Sequence, residues 1–239
     1  MLATPWPAPF TDSGWVFELK WDGVRCLLSS QAGEVRLHSR AGNDMTDRYP
    51  EISHRHYPAD VVLDGEIVAL DEAGRPSFEL LQGRMGHSRQ VPVTYVVFDL
   101  IHHGASMARL PLEERCDALA DLDLPGGCVV AEQYPTDSEP IWDFVSKNDL
   151  EGLVAKRLGS TYQPGVRSPD WRKIGNFHQV RAVVGGFTHG TGGRAGTFGA
   201  LLLGLWGDRG LRWVGSVGSG FDDHTLRAVR AALDEMTTD

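Results

Sequence analysis

Short apolar runs that alternate with polar positions recur through the first 160 residues, and turn-forming residues separate many of them. A period of two is typical of β-strands that bury one face. Turn patterns such as SQAGE and DEAGRP lie between neighbouring runs and favour antiparallel pairing. The pattern predicts seven strands: WVFELK (15–20), VRCLLSS (24–30), EVRLHS (34–39), VVLDGEIVAL (61–70), TYVVFDLI (94–101), CVVAEQY (128–134) and GLVAKRL (152–158).

Segments with a helical period are fewer. Ser138 is a candidate N-cap for one of them, because a serine side chain there can accept a hydrogen bond from the first turn. The pattern predicts four helices: SFELLQGRM (77–85), LPLEERCDALADL (110–122), SEPIWDFVSKND (138–149) and DDHTLRAVRAALDEM (222–236). Strands and helices together predict an α+β fold dominated by antiparallel sheet.

The texture of the chain changes near NFHQ, where glycine-rich hairpin patterns begin. We therefore expect one domain over residues 1–175 and a second, smaller one over 176–239. A chain of 239 residues with 41% hydrophobic residues is long enough to bury a full core.

Composition narrows the cellular setting. The three cysteines show no CxxC spacing, which favours a reducing compartment, and no apolar run is long enough for a membrane span. We therefore expect a soluble cytoplasmic protein without a membrane partner.

The net charge of −9 argues against wholesale binding of nucleic acid. The acidic excess lies entirely before residue 176, however, so the charge is compatible with a local basic patch.

Lysine is rare in this chain: only four of the 23 basic residues are lysine. Lys20 ends an apolar run and is followed at once by Trp21, Asp22 and Gly23. A lysine amine attacks phosphorus only when it is neutral, and burial or neighbouring cations promote that form. Lys20 is therefore a candidate nucleophile, although pairing with Glu18 or Asp22 on a strand surface would also explain it.

Two carboxylates, Glu66 and Glu151, lie in or beside apolar strands. An unpaired charge there is costly, so each needs a partner such as a ribose hydroxyl, a lysine or Mg²⁺. Lys156 and Lys173 lie in or beside strand patterns and are candidates to bind a polyphosphate. Solvent exposure remains an alternative for the strand face that Glu66 shares with Asp64.

Six short motifs follow one another in order between residues 18 and 175: KWDGVR, HSRAG, LDGEIVAL, YVVFDLI, EGLVAKR and SPDWRKIG. They resemble the ordered signature of ATP-dependent DNA ligases. FELKWDG and the glycine-rich C-terminal segment are similar to the bacterial ligases of non-homologous end joining. The resemblance covers nearly the whole chain, and it implies an antiparallel-sheet nucleotidyltransferase domain (ATP-grasp-like) followed by a partial OB-fold β-barrel.

The resemblance also implies a role for each candidate residue. Lys20 would be the nucleophile that takes AMP from ATP, and Glu151 would bind the metal. By its sequence pattern alone, Phe98 is more typical of a core residue, but the resemblance implies that its ring stacks on adenine. The other cofactor-binding residues would be Glu18 and Leu19 (backbone to the adenine edge), Arg25 and Arg40 (ribose or phosphate), Glu66 (ribose hydroxyl), Lys156 and Lys173 (phosphates).

The implied cofactors are ATP and Mg²⁺, with Mn²⁺ as a substitute. The implied partners are nicked or broken double-stranded DNA, together with end-binding or polymerase repair proteins.

The sequence departs from the family pattern at two places. Gly175 stands where many relatives carry a second lysine of the last motif, and the chain ends at Asp239 before the basic terminal motif expected of the OB-fold.

Two alternative functions remain open. One is another enzyme, an RNA ligase or a capping-type nucleotidyltransferase, and a comparison of AMP transfer with GMP transfer would distinguish it. A truncated, non-catalytic module that binds nucleic acid or a repair complex is the alternative outside enzymes.

Overall fold

The computed structural model describes residues 1–84, 91–177 and 180–236. The chain divides into two compact units, Met1–Phe177 and His178–Asp239. None of the helices in these described ranges is long and apolar enough to cross a membrane.

Among its described residues the first unit contains eleven strands and four helices. The strands are β1 (Leu2–Trp6), β2 (Thr11–Leu19), β3 (Val24–Gln31), β4 (Glu34–Ser39), β5 (Val61–Ala69), β6 (Val93–His103), β7 (Ala105–Ser106), β8 (Cys128–Val130), β9 (Tyr134–Asp137), β10 (Gly152–Arg157) and β11 (Arg167–Gly175). The helices are α1 (Pro50–Ser53), α2 (Phe78–Arg84), α3 (Leu112–Ala120) and α4 (Glu139–Lys147), and Thr46–Arg48 forms one 3₁₀ turn.

These strands form two sheets. Sheet A has the order β1-β11-β10-β2-β9, and sheet B has the order β4-β3-β5-β6-β7, with β8 added beside β6. The pairs are antiparallel except for β1 with β11 and β6 with β8. The predicted α+β fold with mainly antiparallel pairing is confirmed.

Each sheet buries one face under helices. The outer face of sheet A packs Phe17, Leu153 and Ile174 against Ile141 and Val145 of α4. The core of sheet B is larger, and its buried members include Leu28, Leu37, Ile52, Leu63, Ile67, Leu81, Tyr95, Val97, Leu100 and Leu119. The remaining face of sheet A carries alternate residues of β2, β10 and β11, among them the candidate site residues Glu18, Lys156 and Lys173.

The sequence pattern did not predict β1, β7 or α1, and two further features of the first unit differ from the prediction. The run CVVAEQY is not one strand: β8 joins sheet B and β9 joins sheet A, so the chain crosses between the sheets at residues 131–133. Ser138 stands at the N-cap of α4 but makes no capping hydrogen bond. Its hydroxyl instead accepts from the N–H of Phe10 at 2.9 Å and donates to the carbonyl of Phe10 at 2.8 Å, which ties α4 to sheet A.

In the part of the second unit that the structure describes there are three strands and one α-helix: β12 (Val183–His189), β13 (Phe198–Gly207), β14 (Gly210–Val217) and α5 (Asp223–Met236). The strands form one antiparallel sheet, and Phe198 and Leu201 pack against Leu226 of the helix. Asp222 caps α5 by accepting the N–H of Thr225 at 2.7 Å. Within the described residues this sheet is open, in agreement with the partial OB-fold that the resemblance implies.

Candidate active site

Lys20 follows β2 directly and is held against the start of β10. Its backbone N–H donates to the carbonyl of Gly152 at 2.9 Å, and its ammonium forms an ion pair with the carboxylate of Glu151. The surface pairing with Glu18 or Asp22 is therefore wrong: the carboxylate partner of Lys20 lies on the neighbouring strand segment. This pair marks one wall of a cavity.

The cavity, of about 290 Å³, lies between sheets A and B. Sheet A and the residues beside its strands supply the wall that contains Lys20, and the facing wall comes from β3, β5, β6 and the residue after β4. The structure brings all ten residues singled out from the sequence to this cavity: Glu18, Leu19, Lys20, Arg25, Arg40, Glu66, Phe98, Glu151, Lys156 and Lys173.

Glu66 lies in β5 opposite Arg25 of β3. Burial raises the pKa of its carboxyl from the ordinary 4.5 to about 8, although the positive charges of Arg25 and Lys20 act in the opposite direction. Glu66 is therefore mostly protonated at neutral pH in this state. A neutral carboxyl can both donate and accept a hydrogen bond, which suits recognition of a hydroxyl.

The Asp64 carboxylate, for which the sequence analysis kept solvent exposure as an alternative, holds Arg25 in place. Asp64 is fully buried, and it accepts from Nε of Arg25 at 3.0 Å and from Nη2 at 2.5 Å. The hydroxyl of Tyr162 donates to the same carboxylate at 2.7 Å. The solvated interpretation of Asp64 is wrong, because its charge is neutralised inside the protein by a bidentate guanidinium.

Phe98 is the extra residue of a β-bulge in β6. Asp64 pairs with Asp99 and Gly65 pairs with Val97, so Phe98 stands between two successive partners on β6. Bulges re-aim a side chain and are frequent next to active sites. The guanidinium of Arg25 lies 5.5 Å from the centre of the Phe98 ring.

Lys156 has a buried ion pair with Glu18. The side chains are 1% and 4% exposed, and Nζ of Lys156 lies 2.8 Å from Oε2 of Glu18. The same ammonium donates to the carbonyl of Phe98 at 2.7 Å. Burial raises the pKa of Glu18, and the Lys156 charge and hydrogen bond oppose that effect. The phosphate role that the resemblance implies for Lys156 is not reflected in these contacts.

The remaining candidates differ in exposure. Lys173 is exposed and lies opposite Val154 in the β10–β11 pair, while Arg40 follows β4 and Leu19 ends β2. Trp171 adds a buried indole to the cavity wall, and its ring N–H finds no hydrogen-bond partner among the described residues.

Oxygen ligands for a divalent cation are present in the cavity wall. Glu151, Glu66 and Asp22 all line it. They do not form a cluster of three metal-ligating side chains within the described residues. Mg²⁺ is commonly held by one or two carboxylates together with substrate phosphates, so the partly exposed Glu151 fits such an ion.

Sequence reasoning missed several residues that support the site, namely Tyr162, Gln133, Trp171 and Arg115. Gln133 donates to Glu18 at 2.9 Å. Arg115 is fully buried and pairs with Asp99 at 2.7 Å, next to Phe98. A usable signal existed for Arg115, because its spacing from Leu112 and Leu119 places it on the apolar stripe of α3.

Comparison with known proteins places this arrangement among nucleotidyltransferase cores. Residues 1–174 match the family model described as "ATP dependent DNA ligase domain", and residues 194–239 match "ATP dependent DNA ligase C terminal region". The chain belongs to the ATP-dependent DNA ligase family. The family inferred from the ordered motifs is confirmed.

Two relatives illustrate the similarity. The multifunctional non-homologous end joining protein LigD of Mycolicibacterium smegmatis is 39% identical over 248 residues, which cover 100% of this chain and 32% of the relative. The SPbeta prophage-derived DNA ligase-like protein LigB of Bacillus subtilis is 33% identical over 183 residues, 75% of this chain and 68% of the relative. The chain thus spans about a third of the length of the LigD relatives that it matches.

Solved structures of DNA ligases are also similar to this chain. A mycobacterial DNA ligase D complexed with ATP and MES is 34% identical, with a TM-score of 0.65, and the match covers 100% of this chain and 78% of that chain. A Lig E DNA ligase has a TM-score of 0.68 at 21% identity, covers 95% of this chain and 87% of that chain, and shows that the fold is shared.

Proposed function

We propose that this chain performs nucleotidyl transfer for ATP-dependent DNA ligation. Lys20 Nζ gives up a proton and attacks the α-phosphorus of ATP, which forms a phosphorus–nitrogen bond and releases pyrophosphate. The AMP then passes from Lys20 to the 5′-phosphate at a DNA break. The 3′-hydroxyl finally displaces AMP and closes the phosphodiester.

The observation that carries the proposal is the placement of Lys20. Its backbone is fixed by Gly152, its ammonium by Glu151, and the cavity that it borders contains Glu66 and Phe98 on the facing sheet. Phosphoryl transfer depends mainly on positioning and on neutralising charge. A fixed amine facing a pocket with an aromatic ring and a hydroxyl-recognising carboxyl meets the positioning requirement for a nucleotide.

The same cavity suggests how ATP is oriented. We assign stacking on the base to Phe98 and recognition of the ribose hydroxyl to Glu66. The backbone at Glu18 and Leu19 borders the adenine edge. Arg25 and Arg40 contact ribose or phosphate, and the exposed Lys173 contacts phosphates.

Glu151 is the residue that would hold Mg²⁺, or Mn²⁺ in its place. When bound, such an ion neutralises charge on the phosphates. In the structure described here Glu151 instead neutralises Lys20.

Nicked or broken double-stranded DNA is the proposed substrate, and non-homologous end joining is the repair route that the LigD relatives suggest. End-binding and polymerase proteins are the corresponding proposed partners. The acidic net charge of −9 predicts weak DNA binding, because few cations are available to neutralise phosphates.

Labelling with radioactive ATP and Mg²⁺ tests the proposal. The chain should acquire an acid-labile, base-stable AMP adduct at Lys20, and Lys20→Arg should acquire none, because a guanidinium stays protonated. The matched control is Lys147→Arg, at an exposed position of α4. Full labelling of Lys20→Arg would refute the assignment of the nucleophile.

A further inference from the structure

The ammonium of Lys156 is fully engaged inside the protein. It lies 2.8 Å from Glu18 Oε2, donates to the Phe98 carbonyl at 2.7 Å, and lies 4.7 Å and 4.6 Å from the ring centres of Phe98 and Trp171. A carboxylate, a carbonyl and two aromatic faces leave this lysine little capacity for another ligand. Lys173, in contrast, is exposed on the adjacent strand.

These contacts join the two sheets at the cavity. Glu18 lies two residues before Lys20 in β2, Lys156 lies in the neighbouring β10, and Phe98 lies in β6 of sheet B. The second carboxylate oxygen of Glu18 accepts from Gln133 at 2.9 Å, where the chain crosses from one sheet to the other. The nucleophile strand and the aromatic ring are therefore linked through one buried cation.

At the Phe98 bulge the Lys156 ammonium serves as a hydrogen-bond donor. A bulge disrupts the strand ladder locally, and an unsatisfied buried carbonyl is costly. Lys156 supplies the hydrogen bond to that carbonyl and also contacts the face of the same ring. Both the backbone and the side chain of the bulged residue are fixed by one side chain.

We propose that Lys156, held by Glu18, is a positioning residue that fixes the bulged Phe98 as the platform for the nucleotide base. A buried ion pair is weak evidence of stabilisation, since well-packed apolar residues often replace such pairs without loss. Its value here lies in geometry: it sets the Phe98 ring relative to the strand that carries Lys20. The inference rests on the proposed function, because it concerns the same nucleotide site.

This role differs measurably from a phosphate contact. A residue that orients the base platform affects every ligand that contains the base, whether or not the ligand has phosphates. A phosphate contact affects only phosphorylated ligands. Affinities for adenosine, AMP and ATP, measured by equilibrium dialysis with labelled ligands, therefore separate the two roles.

We expect Lys156→Met to weaken binding of adenosine, AMP and ATP by a similar factor, about tenfold. Lys173→Met, the contrasting variant on the adjacent strand, should weaken ATP binding and leave adenosine binding within about twofold. The Lys156 variant should also raise the KM for ATP in Lys20 labelling while keeping the rate at saturating ATP within about threefold. A merely structural defect would instead lower the saturated rate through loss of active protein.

Lys156→Met leaves the Glu18 charge buried without its partner, which can unfold the chain. The double variant Glu18→Gln, Lys156→Met removes both charges and should show the same uniform loss of affinity. Loss confined to AMP and ATP, or unchanged affinity for all three ligands in a folded variant, would overturn the positioning role alone. Failure of the unaltered chain to bind any of the three ligands would overturn the proposed function and this inference together.

Discussion

The ammonium of Lys20 is paired with the carboxylate of Glu151, the residue directly before β10. The pair is partly exposed to the cavity, and Gly152 holds the Lys20 backbone beside it. One carboxylate thus both fixes the Lys20 ammonium and offers oxygen ligands that suit a divalent cation.

Glu151→Gln should therefore lower the rate of Lys20 labelling by about 100-fold or more, since loss of charge neutralisation at a phosphate costs several kcal/mol of barrier. The amide keeps the size of the side chain, so the melting temperature should change little. Glu114→Gln on the exposed side of α3 is the control. Labelling of Glu151→Gln at the control rate would remove Glu151 from the mechanism.

Phe98→Ala should weaken ATP binding by roughly 1–3 kcal/mol, the range found when an aromatic ring that stacks on a base is truncated. Phe144→Ala, at an exposed position of α4, provides the comparison. Isothermal titration with ATP measures both. Unchanged affinity in a folded Phe98→Ala variant would return Phe98 to the role of a core residue.

The sequence predicted the antiparallel strands well because their apolar alternation is regular. β1 was missed because LATPW has no clear alternation and contains a proline, and it pairs with β11 across more than 160 residues. The splitting of CVVAEQY was also missed, since a continuous apolar pattern does not reveal that a chain changes sheets. These errors concern tertiary placement, to which local patterns are blind.

For the site, the motif residues converge on one cavity, but their internal partners could not be read from spacing. Asp64 looked like a solvated strand residue until the bidentate contact with Arg25 explained its burial. Lys156 looked like a phosphate ligand, and only the three-dimensional contacts with Glu18 and the Phe98 carbonyl show where its charge is satisfied. These contacts join residues that are distant in sequence, so local spacing does not predict them.

Glu66 makes stability depend on pH in a definite direction. Its pKa is raised by burial from 4.5 to about 8, so the folded state holds a proton that the unfolded state has lost between these values. The stabilisation is complete below about pH 4.5 and is lost as the pH rises through about 8. Denaturant unfolding at pH 5, 6.5 and 8 should show this fall, and Glu66→Gln should reduce it. An equal slope in both proteins would contradict the raised pKa.

Arg115 should be a strong determinant of stability. It is fully buried, binds Asp99 at 2.7 and 2.9 Å, and donates to the carbonyls of Leu110 and Ser160 at 2.7 and 2.9 Å. Arg115→Met should cost about 3–5 kcal/mol of unfolding free energy, because Asp99 keeps a buried charge without a partner. Adding Asp99→Leu should restore part of the loss, and the two carbonyls account for the remainder. Equal destabilisation of the single and double variants would refute this explanation.

Gly152 and Gly175 face each other across the β10–β11 pair, yet substitution should affect them very differently. A Cβ at Gly152 would lie 2.0 Å from the carbonyl oxygen of Ile174, and the φ of +141° is rarely adopted by other residues. Gly152→Ala should therefore cost about 3 kcal/mol of unfolding free energy and disturb the backbone that anchors Lys20. The three atoms nearest a Cβ at Gly175 would all belong to the ring of Phe177, the closest at 2.3 Å, and that side chain is 87% exposed and can turn away. Gly175→Ala should cost less than about 1 kcal/mol, within the range of substitutions that strain no buried backbone. Urea unfolding of the two variants measures the difference, and equal losses would show that the Phe177 ring is held as firmly as the Ile174 backbone.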